Sequence, residues 1–267
     1  MALPRTDLAH ELHERSAPQA GIIKTEEKHG DCVITRLRVG KNADSFGKPA
    51  GNYVTLRFDQ ALSSQAPKME QALLLAREIS AILKKIPLGG RCLVLGLGNA
   101  QVTPDSLGPR TAGLILTTRG RGIEGLREVC ALAPGVFAQT GIDSAELLRA
   151  LVGAIKPALV VAVDALAAGD ISRLGNTVQL TDTGISPGSG VQNTRPELSR
   201  SSLGVAVLAV GVPTVVDYPT EDGTSHFVAP RDIDLLSSRA ARLIALGINA
   251  ALQPGLSPED ISELMTE

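Results

Sequence analysis

Tryptophan is absent from this 267-residue chain, which has only two tyrosines and four phenylalanines. Its core must therefore be built from Leu, Val, Ile and Ala, and it lacks the aromatic platforms on which single-stranded nucleic acids stack. A formal net charge of −2 gives no general attraction to phosphate backbones, so no direct nucleic-acid partner is expected. Three cysteines, Cys32, Cys92 and Cys130, are odd in number, widely spaced and set in apolar stretches. They read as reduced structural thiols rather than a disulfide or zinc framework. Histidine is scarce as well: His10 and His13 lie three apart on a segment that can be helical, but no third ligand has matching spacing, and all four histidines read as surface residues. Neither metal nor cofactor is expected. A basic, apolar leader is missing, as is any run of about 18 apolar residues, so the expectation is a cytoplasmic protein with no membrane partner.

What is present is a globular composition, 43% hydrophobic and 20% charged, without repeat, linker or low-complexity block. It predicts one domain over 1–267. "CVITRLRV" (32–39) and "YVTLRF" (53–58) alternate apolar and polar residues and predict two neighbouring antiparallel strands. "KMEQALLLAREISAILKKI" (68–86) has helical spacing and stops before Pro87 and Gly89. Two runs, 91–98 and 157–166, are apolar except for Arg91 and Asp164 and do not alternate, as in strands covered on both faces. Further strands are predicted over 135–141, 177–182 and 203–217, and further helices over 109–120, 143–155 and 231–252. This alternation implies an α/β fold with a largely parallel central sheet flanked by helices.

In open α/β sheets, ligands and catalytic groups gather outside the carboxyl ends of the strands. Asp105 follows the first apolar run in "GLGNAQVTPDSLGP", and Asp164 stands at the end of "ALVVAV". A carboxylate directly after buried strand residues is costly unless it faces a cleft or is hydrogen bonded. "GLGNAQ" does not match a dinucleotide fingerprint, because Gln101 stands where the third glycine belongs. For Asp105 two readings stand: a cap region in which Thr103 precedes Pro104 at the start of a short helix, and catalysis. The polar stretch "TDTGISPGSGVQNTR" (181–195) is long enough to line a site or to run over the surface as a solvent loop. Ser186 and Ser189 within it lack an evident histidine base. Paired carboxylates are the chemistry that remains, one acting as base on a water while the other stays protonated.

The blocks "RTDLAHE" (5–11), "GKPAGNYVTL" (47–56), "VLGLGNAQVTPDSLGP" (94–109), "PGVFAQTGID" (134–143), "VDALAAGDISRLGNTVQLTDTGISPGSGVQNTR" (163–195) and "LGVAVLAVGVPTVVD" (203–217) occur in order over nearly the whole chain. In this the sequence closely resembles the germination proteases of spore-forming bacteria. The resemblance implies an atypical aspartic endopeptidase that degrades small acid-soluble spore proteins in the spore core, made as a zymogen and assembled as a homotetramer. Residues 1–20 would then include a regulatory segment. It also implies a phosphorylase/hydrolase-like fold similar to that of the hydrogenase-maturation proteases, in which Asp105 and Asp164 match two nickel-contacting acids. Catalysis would fall to Asp105 and Asp164, and substrate binding to Thr183, Ser186, Ser189, Asn193 and Arg195. Two departures are visible: Gly169 stands where the family tends to have a basic residue, and Gln192 interrupts a glycine pattern. The alternatives are a metal-dependent endopeptidase of the hydrogenase-maturation type and a catalytically silent scaffold of the same fold.

Overall fold

A computed structural model describes residues 4–17, 20–43, 46–84, 90–186, 196–220 and 224–265. In chain order these form α1 (Ala9–Arg15), β1 (Ile22–His29), β2 (Cys32–Val39), β3 (Gly51–Phe58), α2 (Met69–Leu83), β4 (Cys92–Gly96), α3 (Leu107–Gly113), β5 (Val129–Leu132), α4 (Phe137–Thr140) and α5 (Ser144–Ile155). There follow β6 (Leu159–Ala168), β7 (Thr177–Thr181), α6 (Arg200–Leu203), β8 (Ala206–Pro219), β9 (Ser225–Val228), α7 (Ile233–Leu252) and α8 (Pro258–Leu264).

Among the described residues the strands make one sheet in the order β1-β2-β3-β7-β8-β6-β4-β5, with β9 added along β8. The α/β expectation holds, and the sheet is mixed. β8, β6, β4 and β5 pair parallel, whereas β1, β2, β3 and β7 pair antiparallel and join the parallel part at β8. Alternation along β4 and β6 sorts their side chains to two cores. Cys92, Val94, Leu159, Val161 and Val163 pack with α2 and α7, while Leu93, Leu95, Val160 and Ala162 pack with α5 and α6. Because both faces are covered, these strands read as continuous apolar runs. The helix α7 has the length and composition of a membrane span, but 72% of its most apolar window lies inside the protein against the sheet.

Three predicted elements differ. Residues 135–141 form the short helix α4, closed by Gly141 at φ 68°, rather than a strand. The helix predicted over 109–120 begins at Leu107 and ends at Gly113. Asn249 on α7 accepts from the Leu116 N–H and donates to the Leu114 carbonyl, both at 3.0 Å, and so holds the chain just beyond α3. Thr103 does not cap this region: it is the first residue of a 3₁₀ turn, Thr103–Asp105, whose preceding residue is Val102. Cys32 and Cys92 are buried, and burial pushes their thiols up to about 12 and about 11, as inert core residues require.

Candidate active site

After β4 the chain passes to β5 on one side, and after β6 it proceeds towards β7 and β8 on the other. The carboxyl ends of the adjacent strands β4 and β6 therefore flank a topological switch point, where α/β sheets open a crevice. The connection beyond β4 is drawn tight. Leu97 donates to the Val163 carbonyl at 2.8 Å, and Gly98 takes φ 108°. A side chain on Gly98 would meet the Asp105 backbone oxygen at 2.1 Å, so glycine is the residue that lets the two arms of this loop touch. Gly96 serves the same purpose one step earlier, since its Cβ would lie 2.0 Å from the Gly108 carbonyl of α3. The glycine pair thus permits close packing of a loop and a helix on the strand ends.

Asp105 ends the 3₁₀ turn, which packs against β6, β8 and α7. Its Oδ2 accepts from the Asn99 N–H at 2.7 Å, and the Ser237 hydroxyl of α7 donates to the Thr103 carbonyl at 3.1 Å. The turn is fixed at both ends. Asp164 lies opposite Gly211 of β8 and is 6% exposed. Its side chain follows Val160 and Ala162 on the face covered by α5 and α6. Two residues further, Leu166 on that face packs with Leu8 instead. Asp164 thus occupies the gap between two covers, and its Oδ1 accepts from the Ala165 N–H at 3.0 Å.

Asp105 and Asp164 line one cleft of about 460 Å³, together with Thr183 and Ser186. Thr183 lies partly buried, its hydroxyl donating to the Tyr53 phenol at 3.3 Å, and Ser186 is exposed. Ser189, Asn193 and Arg195 lie outside the described residues, as does Gln192. Among the described residues no group of three or more His, Cys, Asp or Glu is placed to hold a metal ion. His10, expected at the surface, is 6% exposed and pairs with Glu14 at 3.0 Å; burial lowers its basicity while Glu14 opposes that.

Sequence reasoning missed the part of the wall made by the segment ahead of α1. Asp7 donates its N–H to the Ala167 carbonyl and accepts from the Ala167 N–H through Oδ2, both at 2.9 Å. Gln179 of β7 accepts from Ala9 N–H at 2.7 Å and donates to the Asp7 carbonyl at 3.0 Å. The Glu11 carboxylate, 2% exposed, receives the N–H groups of Gly169 and Asp170 at 2.8 and 3.2 Å. A Cβ on Gly169 would lie 2.3 Å from the Arg15 guanidinium, so here a cation from α1 fills the space that a side chain at 169 would enter. Lys48 and Tyr53 of "GKPAGNY" also line the cleft.

Comparison with known proteins identifies the family. The family model described as germination protease matches residues 4–222. The germination protease of Caldanaerobacter subterraneus subsp. tengcongensis is 36% identical over 98% of this chain and 98% of its own length, and that of Clostridium acetobutylicum 35% over 97% and 98%. The Bacillus cereus germination protease is 42% identical over 80% of this chain and 63% of its own. Among solved structures, a hydrogenase maturation protease from Thermococcus kodakarensis aligns at 21% identity and a TM-score of 0.38, covering 63% of this chain and 96% of that one. With its family model matched over most of its length and full-length relatives above one third identity, the chain belongs to the germination protease family and is a peptidase.

Proposed function

We propose that this peptidase degrades small acid-soluble spore proteins at germination, using a water activated between Asp105 and Asp164. The observation that carries the reading is that both carboxylates line one cleft at the switch point of the sheet. One aspartate takes a proton from the water as its oxygen bonds to the scissile carbonyl carbon. The other, protonated, gives its proton to the leaving amine nitrogen as the C–N bond breaks. Ser186, Ser189 and Asn193 are then the candidate donors to the substrate main chain, Thr183 lines the substrate's path beside Ser186, and Arg195 pairs with a substrate glutamate. The chain acts as one domain over 1–267, in the spore core and as a homotetramer. Regulation through residues 1–20 acts on the end of β6, where Asp7 and Glu11 grip the backbone beyond Asp164.

The test is incubation of the purified chain with a small acid-soluble spore protein, comparing wild type with Asp105→Asn and Asp164→Asn. Cleavage by wild type that both variants lose, and that a chelator leaves untouched, supports the reading. Full activity in either variant contradicts it, and loss on chelation moves the chemistry to a metal.

A further inference from the structure

Among the described strands, three pair on one side only: β1 with β2, β5 with β4 and β9 with β8. An open edge offers its N–H and carbonyl groups to any further strand unless something guards it. β1 is guarded by charge, with Lys24, Glu26, Glu27 and Lys28 along its length. At the start of β5 the Val129 carbonyl already accepts from the Thr118 and Arg119 N–H groups. β9 consists of Ser225, His226, Phe227 and Val228 and carries no acid, lysine or arginine. Its register with β8 runs from Pro219 opposite Ser225 to Val216 opposite Val228, and one step further the Thr220 N–H donates to the Thr224 carbonyl at 2.8 Å. Antiparallel pairs alternate between bonded and non-bonded, so the backbone groups of His226 and Val228 turn to β8 and those of Ser225 and Phe227 turn away. Among the described residues none takes up the Phe227 N–H or carbonyl.

Phe227 is partly buried and lines the same cleft as Asp105 and Asp164. Asp164 lies opposite Gly211 and Phe227 opposite Asp217, six residues further along β8, so roughly 20 Å of strand separates them at about 3.3 Å per residue. Gly211, Thr214 and Val215 of β8 line the cleft between them. Gly211 leaves this wall without a side chain opposite Asp164, where a Cβ would meet the Asp164 carbonyl at 2.6 Å. Thr214 is one residue more than β6 has over the same span, since Leu166 pairs with Pro213 and Ala167 with Val215. Such a bulge bends the strand that carries it. One wall thus runs from the paired acids to an unguarded strand edge, and about six residues of extended polypeptide cover that distance. A peptidase takes polypeptide as its substrate, and main chain is what an open strand edge recognises.

We propose that β9 is a substrate subsite of the peptidase: a stretch of substrate about five to seven residues from the scissile bond adds to its open edge as a further strand, accepting from the Phe227 N–H and donating to the Phe227 carbonyl. These bonds fix the register of the substrate while the scissile bond lies at Asp105 and Asp164. The proposal rests on the reading that cleavage occurs at those two carboxylates, but the strand pairing does not depend on how they act. The contact is remote from the reacting atoms and the same in ground and transition states. It therefore acts on KM rather than kcat.

The experiment has a substrate arm and a protein arm. In the first, a peptide reaching about eight residues to each side of a cleavage site in a small acid-soluble spore protein is N-methylated at one position at a time and cut by the wild-type chain. About five to seven residues from the scissile bond, on one side of it, methylation should raise KM by about 2–10-fold at alternate positions and leave those between unchanged, the signature of a paired strand. In the second arm, Phe227→Pro removes the outward N–H at a place where an edge strand tolerates proline, and Phe227→Leu keeps it. Phe227→Pro should unfold thermally like wild type and show a KM raised by about 2–10-fold, with a smaller rise in Phe227→Leu. If Phe227→Pro fails to fold, the methylation profile decides alone. A methylation profile that is flat in that region overturns the proposal. So do equal KM values in folded Phe227→Pro and wild type, and so does a Leu variant as impaired as the Pro variant, which would make the role one of side-chain shape. An alternating profile together with full activity in Asp105→Asn and Asp164→Asn keeps the subsite and rejects the paired-aspartate reading instead.

Discussion

On one side of the sheet, β8, β6, β4 and β5 run parallel, with β4 and β6 buried along nearly their full length. On the other, β1, β2, β3 and β7 pair antiparallel, and β1 at the edge faces solvent through most of its residues. The parallel half ends at a switch point; Asp105 lies on the turn after β4, and Asp164 lies within β6, four residues before its end. The antiparallel half adds walls: Lys48, Tyr53 and Thr183 come from its strands and their connections. The difference teaches how the walls of this cleft are divided. Asp105 and Asp164 belong to the half whose strands are covered on both faces, and Lys48, Tyr53 and Thr183 reach the same cleft from the other half.

That division can be broken from either side. The largest effect is expected from the parallel half: Asp105→Asn and Asp164→Asn should each lower kcat by about 10²–10⁴-fold, the range of a lost general acid or base, with near-native thermal unfolding. Next is Gly98→Ala. At φ 108°, with Asp105 oxygen 2.1 Å from the new methyl, it should cost about 1–3 kcal/mol in denaturant unfolding. Activity should fall as well, because the turn carrying Asp105 must move. Glu11→Gln probes the grip of α1 on β6. It places an amide where a buried carboxylate receives two N–H groups, and an expected loss of about 1–3 kcal/mol should appear in the urea midpoint.

The smallest effect is on stability alone, through His10. Its buried imidazole binds a proton less readily than in the unfolded chain, chiefly by desolvation. The unfolded state therefore takes up more protons as pH falls through histidine's ordinary 6.5, and the folded state loses stability from there down to the lowered value. Relative to His10→Gln, wild type should lose stability on acidification across that window and match its behaviour above it. Urea midpoints on either side of the window measure this. Equal slopes with pH in the two proteins would place His10 in an ordinary, solvated setting.

How far the sequence could be read follows the same division. Strands covered on both faces are long apolar runs, so β4, β6 and β8 were legible, and with them the turn that carries Asp105. Asp164, expected near the end of its strand, stands inside β6, which runs on to Ala168 because residues 165–168 keep pairing with β8. The paired strands β2 and β3 were legible by alternation, and so was the helix over 143–155, whose first residue, Asp143, caps α5 by accepting from the Ala145 and Glu146 N–H groups. β1 was not legible, since "IIKTEEKH" has the composition of a solvated segment and becomes a strand only by pairing with β2 through all eight residues. Nor was β5, four residues long at the other edge. "GVFAQTG" has β-prone residues but closes into one helical turn, with Gln139 reaching the Asn99 side chain at 2.8 Å. Lys48 and Asp7 were hidden for a further reason: that they line the cleft is a matter of contacts across the fold, and local pattern carries no information about contacts more than a hundred residues away.

The central claim is that Asp105 and Asp164 act as a unit on one water. A double-mutant cycle tests it most directly, with kcat for spore-protein cleavage measured in Asp105→Asn, Asp164→Asn and the variant carrying both. If the two work together, the double variant is no slower than the slower single one, because removing either already abolishes the shared step. If instead the two losses multiply, the carboxylates act separately, and the paired mechanism is wrong.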